Sequence, residues 1–507
     1  MNSQHKDLAL QLRAATELLE VVAQDRSVLA NLSTEERARL LSAAGDVFCP
    51  DVEERRQQIR ARRRRQRSEK AQRDEAVLNS TGIRTLRSQE VFTSPNIFPP
   101  VGFVQAEIPT SETPSSNGPL GQTLQPQHCY VCKQKYSQIH FFYDQLCLPC
   151  AELNYAKRTE SADLTGRVAL LTGGRVKIGY QAGIKLLRAG AHLIVTTRFP
   201  QDSARRYSQE PDFLKWQDRL EIYGLDLRHT PSVESFCSHM RATHSRLDYI
   251  INNACQTVRR PPEFYEHMME LERSALNQFM PPSQQDPSAA LTLAAGGSDL
   301  VRTASGAAAS AEISQLPLLP EDHLRQGHIF PDGLLDQDSQ QVDLRQINSW
   351  RLNLAQVSTV EMLETQLVNA VAPFVLNARL KPLMLQSPEQ DKHIVNVSAV
   401  EGQFYRRFKT TKHPHTNMAK AALNMMTRTS AAEYHADGIH MNSVDTGWVS
   451  DEDPTHIAQR KTAEHGFHPP LDIVDGAARI VDPIIDGALT GTQQWGQFLK
   501  DYYPTDW

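Results

Sequence analysis

The feature that most constrains this chain is a short apolar run, Val168-Ala169-Leu170-Leu171. It runs into Thr172-Gly173-Gly174-Arg175-Val176-Lys177-Ile178-Gly179 and then into helix-forming residues from about Tyr180 to Ala189. A strand, a glycine turn and a helix in this order aim backbone N–H groups and a helix N-terminus at an anionic group such as a pyrophosphate. Such a unit cannot stand alone, because its strand needs parallel partners and its helix needs a sheet to cover. The chain supplies further β-rich runs at His192–Thr197, Leu220–Leu227, Leu247–Ile251, Ile394–Val397 and Ile439–Val444, alternating with helical segments, and Gly496–Lys500 looks like the last strand. The expected fold class is α/β, a doubly wound parallel sheet with helices on both faces.

Chemistry collects at the strand ends. The second strand ends in Thr197-Arg198, where a site for NAD usually places an acid, and an arginine there suits the 2′-phosphate of NADP. The third strand ends at Asp226, and the fourth runs into Asn252-Asn253-Ala254-Cys255. With these marks in order after Thr-Gly-x-x-x-x-x-Gly, the chain from Leu164 to about Trp507 resembles the short-chain dehydrogenase/reductase superfamily. The resemblance implies a Rossmann domain that binds NADP(H). It places Thr172, Gly173, Arg175, Lys177, Ile178, Gly179, Arg198, Asp226, Leu227, Asn253, Ala254, Lys420 and Gly447 at the cofactor, with Asp226 on the adenine and Asn252 supporting the central sheet. Two positions depart from the family pattern. Lys177 stands where the middle glycine belongs, and Cys255 replaces the last glycine of Asn-Asn-Ala-Gly.

The family's chemistry uses an asparagine, a serine, a tyrosine and a lysine. A phenol with a pKa of about 10 needs an adjacent ammonium to move protons at neutral pH. By the resemblance, Asn369 matches the helix asparagine and Lys420 the lysine. Thr416 stands where the tyrosine belongs, and Ala399 where the serine belongs, with Ser398 one place early. His415 beside Thr416 is the most interesting stand-in because imidazole titrates near neutrality; Tyr405, His413 and Ser398 are others, and all four also read as ordinary loop residues. After the sixth strand, Thr446 replaces the proline of the family's Pro-Gly, while Gly447 is kept. The readings that follow are a divergent NADP(H)-dependent oxidoreductase acting on a carbonyl or imine, or a catalytically inactive pseudoenzyme that serves as an interaction scaffold or NADP(H) sensor.

Ahead of this domain lie Cys129, Cys132, Cys147 and Cys150, two CxxC pairs separated by fourteen residues. The spacing lets four thiolates close a tetrahedral site around structural zinc. The segment between the pairs is long enough for a hairpin, and the second pair opens a helical stretch, so the module resembles a treble-clef zinc finger. Four cysteines leave no open position for hydrolysis and fall short of the eight ligands of a RING domain.

The remaining divisions are a helical region at 1–93, a Pro/Ser-rich linker at 94–127, the zinc module at 128–160, and the Rossmann domain at 163–507 with a partly disordered insertion at about 262–342. In the first region Leu8, Leu10, Leu12, Leu18, Leu19, Val21 and Val22 form an apolar face, and Ser33-Thr34-Glu35-Glu36 marks a helix start. The arginine run Arg55–Arg67 offers a nuclear-localisation or nucleic-acid patch, but neighbouring glutamates favour a solvated helix face. A net charge of −5 argues against nucleic acid as a partner, and no apolar run reaches a membrane span. Seven cysteines, four of them in tight pairs, suit a reducing compartment, expected to be the cytosol. Protein partners are expected on the N-terminal arm and the insertion.

Overall fold

The computed structural model describes residues 2–48, 52–87, 119–278, 301–302, 309–331, 333–336, 340–405, 409–450, 452–454, 456–457, 460–461 and 468–507. Most of the Pro/Ser-rich linker, much of the low-complexity insertion and Cys49 lie outside them. The chain divides into two compact units, Met1–Ala76 and Val77–Trp507.

The first unit is helical: α1 (Asn2–Gln24), α2 (Thr34–Phe48) and most of α3 (Val52–Asn79). Helix α2 starts with a capping box. Ser33 Oγ accepts the Glu36 amide at 3.2 Å, and the Ser33 amide donates back to the Glu36 carboxylate at 3.0 Å. The side chains of Leu8, Leu10, Leu12 and Leu18 are exposed. On α3, Arg65 pairs with Glu69 at 2.9 Å with both side chains in solvent, the behaviour of a solvated face.

After the last residues of α3, the second unit continues with a short helix, α4 (Gly82–Arg87), and a four-cysteine fragment. Strand β1 (Gly121–His128) pairs antiparallel with β2 (Lys135–Ile139), and α5 (Leu148–Thr159) follows. The first cysteine pair therefore sits in the turn of a hairpin whose strands flank it. This corrects the expectation of a hairpin between the two pairs: the polar run before Cys129 pairs with the segment after it, and the aromatic residues of 140–146 pack as a miniature core instead.

Among the described residues, nine strands form the main sheet. They are β3 (Val168–Thr172), β4 (His192–Thr197), β5 (Leu220–Gly224), β6 (Tyr249–Asn252), β7 (Val301–Arg302), β8 (Lys392–Ser398), β9 (Ile439–Asp445), β10 (Phe498–Lys500) and β11 (Tyr503–Thr505), in the order β11-β10-β9-β8-β6-β3-β4-β5-β7. Every pairing is parallel except β10 with β11. Residue pairs such as Leu170/Leu171, Ile194/Val195, Ile250/Ile251 and Ile394/Val395 send alternate side chains into two separate cores. One core is closed by α6 (Lys177–Arg188) and a long helix near the C-terminus, Ile473–Thr490, and the other by α8 (Thr230–Thr243), α12 (Ala372–Met384) and α13 (Pro414–Ala436). Burial on both faces is why these strands read as continuous apolar runs.

Two edge features differ from expectation. The last strand is β11, reached through Asp501 and Tyr502 in left-handed conformations. The described parts of the insertion are ordered: Phe264, Tyr265, Met268 and Met269, at and within α9 (Glu266–Gln278), share a small core with Ala311 and Phe330, and β7 extends the sheet beside β5. Its flanks carry enough large apolar side chains to dock on the sheet edge even though its middle does not.

The four-cysteine fragment is bolted to the start of the C-terminal helix. Asp472 caps that helix, accepting from the amides of Val474 and Asp475 at 3.0 Å each. The buried Arg158 guanidinium of α5 reaches Asp472 at 2.7 Å and Asp475 at 2.9 Å, and Tyr143 also donates to Asp475. Replacing Arg158 strands two buried carboxylates, so Arg158→Ala is expected to cost about 3–5 kcal/mol of stability. Denaturant unfolding against Arg158→Lys, which keeps the charge, measures it.

Candidate functional site

Strands β3 and β6 lie side by side at the centre of the sheet; β3 leads to β4 on one flank, and β6, after the excursion through α9 and β7, leads to β8 on the other, and a crevice opens above them at the carboxyl end of the sheet. Hydrogen bonds clasp the two strand ends together. Thr172 Oγ1 accepts the Ala254 amide at 3.0 Å, and Asn253 Nδ2 donates to the carbonyls of Thr172 and Gly173 at 3.1 and 3.2 Å. The backbones approach so closely that a Cβ on Gly173, which has φ +69°, would lie 2.9 Å from Ala254 Cα, and one on Gly179 would lie 2.3 Å from the Gly173 carbonyl oxygen. Only glycine fits either place. The crevice is a groove of about 770 Å³. Gly173, Arg175, Lys177, Ile178 and Gly179 line it on the turn side, and Arg198, Asp226, Leu227, Asn253 and Ala254 line it along the strand ends. Lys420 and Gly447 border its far end.

Thr172 acts from behind the groove, through its bond to Ala254. Arg175 lines the groove but its guanidinium is held by Asp202 at 2.6 Å and by Gln340 at 3.2 Å. Burial works against the Asp226 carboxylate, yet Arg228, at 2.6 Å, and the more distant Arg198 together hold it below the usual range. Arg198 projects from the end of β4, donates to Tyr265 at 2.9 Å and stacks over the Tyr265 ring at 4.6 Å. Burial alone would raise the Tyr265 phenol, but Arg198, Arg260 and Arg175 outweigh it and bring its pKa below the ordinary value. Tyr265, contributed by the insertion, was not singled out as a binding residue in the sequence; its aromatic neighbour and the adjoining arginines were the only signal.

At the other end, Lys420 is buried and its ammonium donates to the Val397 carbonyl at 2.8 Å. Asn369 sits in a π-helical turn, Leu367–Val371, and holds the backbone of Gln256 by both its carbonyl (2.7 Å) and its amide (3.1 Å). It braces the segment after Cys255 and does not line the groove.

The proton-donor candidates need correction. Thr416 and His415 are buried in the first turn of α13 and neither lines the groove. The His415 ring faces Glu361 of α11 (Thr359–Gln366) at 3.7 Å, because the helix turns that side of its first turn toward α11. Burial lowers its pKa, with Glu361 opposing. Tyr405 is 89% exposed. His413 does line the groove, but its ring is stacked on Trp350 at 3.8 Å and burial lowers its pKa to about 4. Ser398 and Ala399 line the groove, and the buried Ser398 hydroxyl has no hydrogen-bond partner among the described residues. The residue missed is Asp445, the last residue of β9, which lines the groove and whose carboxyl burial raises to about 6. Its signal was an acid closing an apolar strand, the same signal that marked Asp226.

The four cysteine sulfurs lie within 4.8 Å of one another, and those of Cys132 and Cys147 are 3.6 Å apart. Tetrahedral Zn–S bonds of about 2.3 Å require sulfurs about 3.8 Å apart, so the cluster fits such an ion. The module also borders the groove: Tyr130, between the first two cysteines, lines it and accepts the Trp448 amide at 2.9 Å.

The short chain dehydrogenase family model matches residues 167–279, and that of enoyl-(acyl carrier protein) reductases matches 348–469. Both matches support placing the doubly wound domain in the short-chain dehydrogenase/reductase superfamily. The chain is 29% identical over 387 residues to the uncharacterized protein R665 of Acanthamoeba polyphaga mimivirus, covering 74% of this chain and 75% of that protein. It is 33% identical over 103 residues to the short-chain dehydrogenase/reductase pyiH of Pyricularia grisea, 20% of this chain and 41% of the relative's length. Among solved structures, the Pseudomonas aeruginosa RhlG/NADP active-site complex aligns with a TM-score of 0.42 and 17% identity over 67% of this chain and 95% of that one.

One residue in the turn carries strain. Lys177 holds φ +55°, the left-handed backbone that glycine adopts freely. Lys177→Gly is expected to raise the unfolding free energy by about 1 kcal/mol, read as a higher denaturation midpoint with an unchanged slope.

Proposed function

We propose that this chain is an NADP(H)-binding oxidoreductase of the short-chain dehydrogenase/reductase kind, divergent in its proton-transfer residues, acting on a carbonyl or imine carbon. The observation that carries the reading is Arg198. Arg175, Arg228, Arg259 and Arg260, which also line the groove, each face a carboxylate, whereas among the described residues Arg198 has none within ion-pair reach. A guanidinium with no ion-pair contact among the described residues, at the end of β4, suits a phosphate monoester such as the 2′-phosphate of NADP(H). Bound there, the cofactor supplies hydride. In this reading Lys177 and the N-terminus of α6 hold the pyrophosphate, Asp226 and Leu227 border the adenine, and Lys420 holds the ribose near the reacting end.

Cys129, Cys132, Cys147 and Cys150 would hold one structural zinc ion. Its role in this reading is to shape the knuckle that presents Tyr130 to the loop Thr446–Ser450, with no chemistry at the metal. Free thiols at this cluster fit a reducing compartment, which we take to be the cytosol.

A second reading, a pseudoenzyme that binds NADP(H) as a sensor or scaffold, draws support from Thr416 and His415 turned away from the groove and from Ala399 in the serine position. The oxidoreductase and the sensor both require cofactor binding and separate at turnover, whereas an interaction scaffold requires none.

Fluorescence titration with NADPH and NADH tests the shared premise. NADPH is expected to bind more tightly, and Arg198→Ala to weaken NADPH by about 10–100-fold while leaving NADH nearly unchanged, the worth of about 1.5–3 kcal/mol for bonds to a charged group. Equal affinity for the two cofactors would overturn the assignment of Arg198. For the metal, elemental analysis is expected to return one zinc per chain, lost in Cys147→Ser together with a fall in melting temperature; a metal-free chain of undiminished stability would remove the zinc reading.

A further inference from the structure

We propose that Asp445 is the proton donor to the substrate oxygen, taking the place of the tyrosine whose position Thr416 occupies. The inference rests on the oxidoreductase reading above.

Geometry carries it. Along β9, alternate residues share a face. Met441 packs into the core beneath α12 and α13, and Ser443 Oγ bonds Thr427 of α13 at 2.9 Å, so the strand's next residue on that face, Asp445, leaves the sheet on the α13 side. That is the side from which Lys420 enters the groove. Asp445 is the register partner of Ser398, the last residue of β8, whose buried hydroxyl has no hydrogen-bond partner among the described residues. Its Oδ1 accepts the Val400 amide at 3.2 Å, which ties it to the turn where the family carries its substrate-contacting serine. A carboxyl group and a hydroxyl thus end neighbouring strands side by side at the floor of the groove, where a carbonyl oxygen could be met by both.

The surroundings favour the acid form. Burial disfavours the carboxylate, and Glu401 from the turn and Asp501 after β10 add like charge. Lys500, the register partner of Asp445 on β10, opposes them but is itself paired with Asp501. Tyr130 faces the same carboxyl from the four-cysteine fragment and is engaged by the Trp448 amide. The result is a pKa of about 6, within reach of neutral pH, whereas His413, the imidazole lining this end, is held neutral by burial.

In reduction, hydride from NADPH forms the new C–H bond at the carbonyl carbon, and the C=O π pair moves onto oxygen. The Asp445 carboxyl proton forms the O–H bond, leaving carboxylate, NADP⁺ and alcohol, and Ser398 donates a hydrogen bond to the same oxygen. Solvent then reprotonates Asp445.

The test uses the full-length zinc-replete protein with NADPH and two probes, phenanthrenequinone and nitrobenzaldehyde, following NADPH consumption. The expected result is turnover by the parent whose kcat/KM falls about tenfold per pH unit above about pH 6, because the acid form is the active one. Asp445→Asn is expected to bind NADPH as the parent does and to lose at least about 100-fold in kcat, with no limb near pH 6. Asp445→Glu, which restores an acid, is expected to recover part of the rate and the limb. A parent profile without that limb overturns the proposal even if Asp445→Asn fails to fold. Parental turnover in a folded Asp445→Asn overturns it too, and leaves the oxidoreductase reading intact. A parent that binds NADPH but consumes none with either probe overturns both and favours the sensor or scaffold.

Discussion

The clasp between the ends of β3 and β6 is the contact on which the rest of the domain depends. Three hydrogen bonds at Thr172 and Asn253, together with two glycines that admit backbone where no side chain fits, hold together the loops that follow the two strands. The crevice exists because the loops part beyond this point and not before it. Asn369 braces the same region one step further on, by holding both backbone groups of Gln256. Below the clasp, Asn252 donates to Asn377 and Asn396, and Asn396 to Thr427, so the sheet and its helices are registered by a buried polar chain as well as by apolar packing. Each donor in this chain finds the next member, although the buried Asn252 Oδ1 has no hydrogen-bond partner among the described residues.

Around this centre the chain has built two walls from outside the doubly wound core. The insertion brings Tyr265 against Arg198 at one end of the groove. The cysteine knuckle brings Tyr130 to the Trp448 amide at the other. The knuckle can serve as a wall because Arg158, Tyr143 and Asn154 anchor its fragment to the C-terminal helix through Asp472, Asp475 and Arg479, all buried. A charged network of this kind supplies little net stability over an apolar alternative, but it is intolerant of rearrangement and so fixes one docking geometry. The groove is consequently enclosed at both ends by residues with no counterpart in the glycine-turn unit that starts it.

Much of this was open to reading along the chain. Strands buried on both faces must be apolar at successive positions, and β3, β4, β6 and β8 are. The glycine turn, Arg198, Asp226 and the Asn252-Asn253-Ala254 end are local signals, because the geometry each needs is confined to a few neighbouring residues. The cysteine pairs are legible for the same reason. Less legible was anything depending on which way a helix faces. His415 sits beside Thr416 in sequence, yet the first turn of α13 directs its ring to Glu361 of α11 and leaves His413, two residues earlier, at the groove. The extra strand β11 and the hairpin flanking the first cysteine pair were missed because short polar strands are made by their partners and not by their own composition.

What the sequence determined by itself, then, was the class of sheet, the position of the dinucleotide turn and the presence of four thiols at ligand spacing, since each follows from periodicity or from contacts among near neighbours. Tertiary structure alone decided which charges remain uncompensated and which acids face the groove. Among the described residues Arg198 has no carboxylate within ion-pair reach, unlike Arg175, Arg228 and Arg259, whose carboxylates arrive from residues as distant as Asp322 and Glu364. Asp445 becomes a poised acid only because β8, β10 and the cysteine knuckle close around it and remove water. Desolvation and pairing are properties of the assembled neighbourhood, and no stretch of chain contains them.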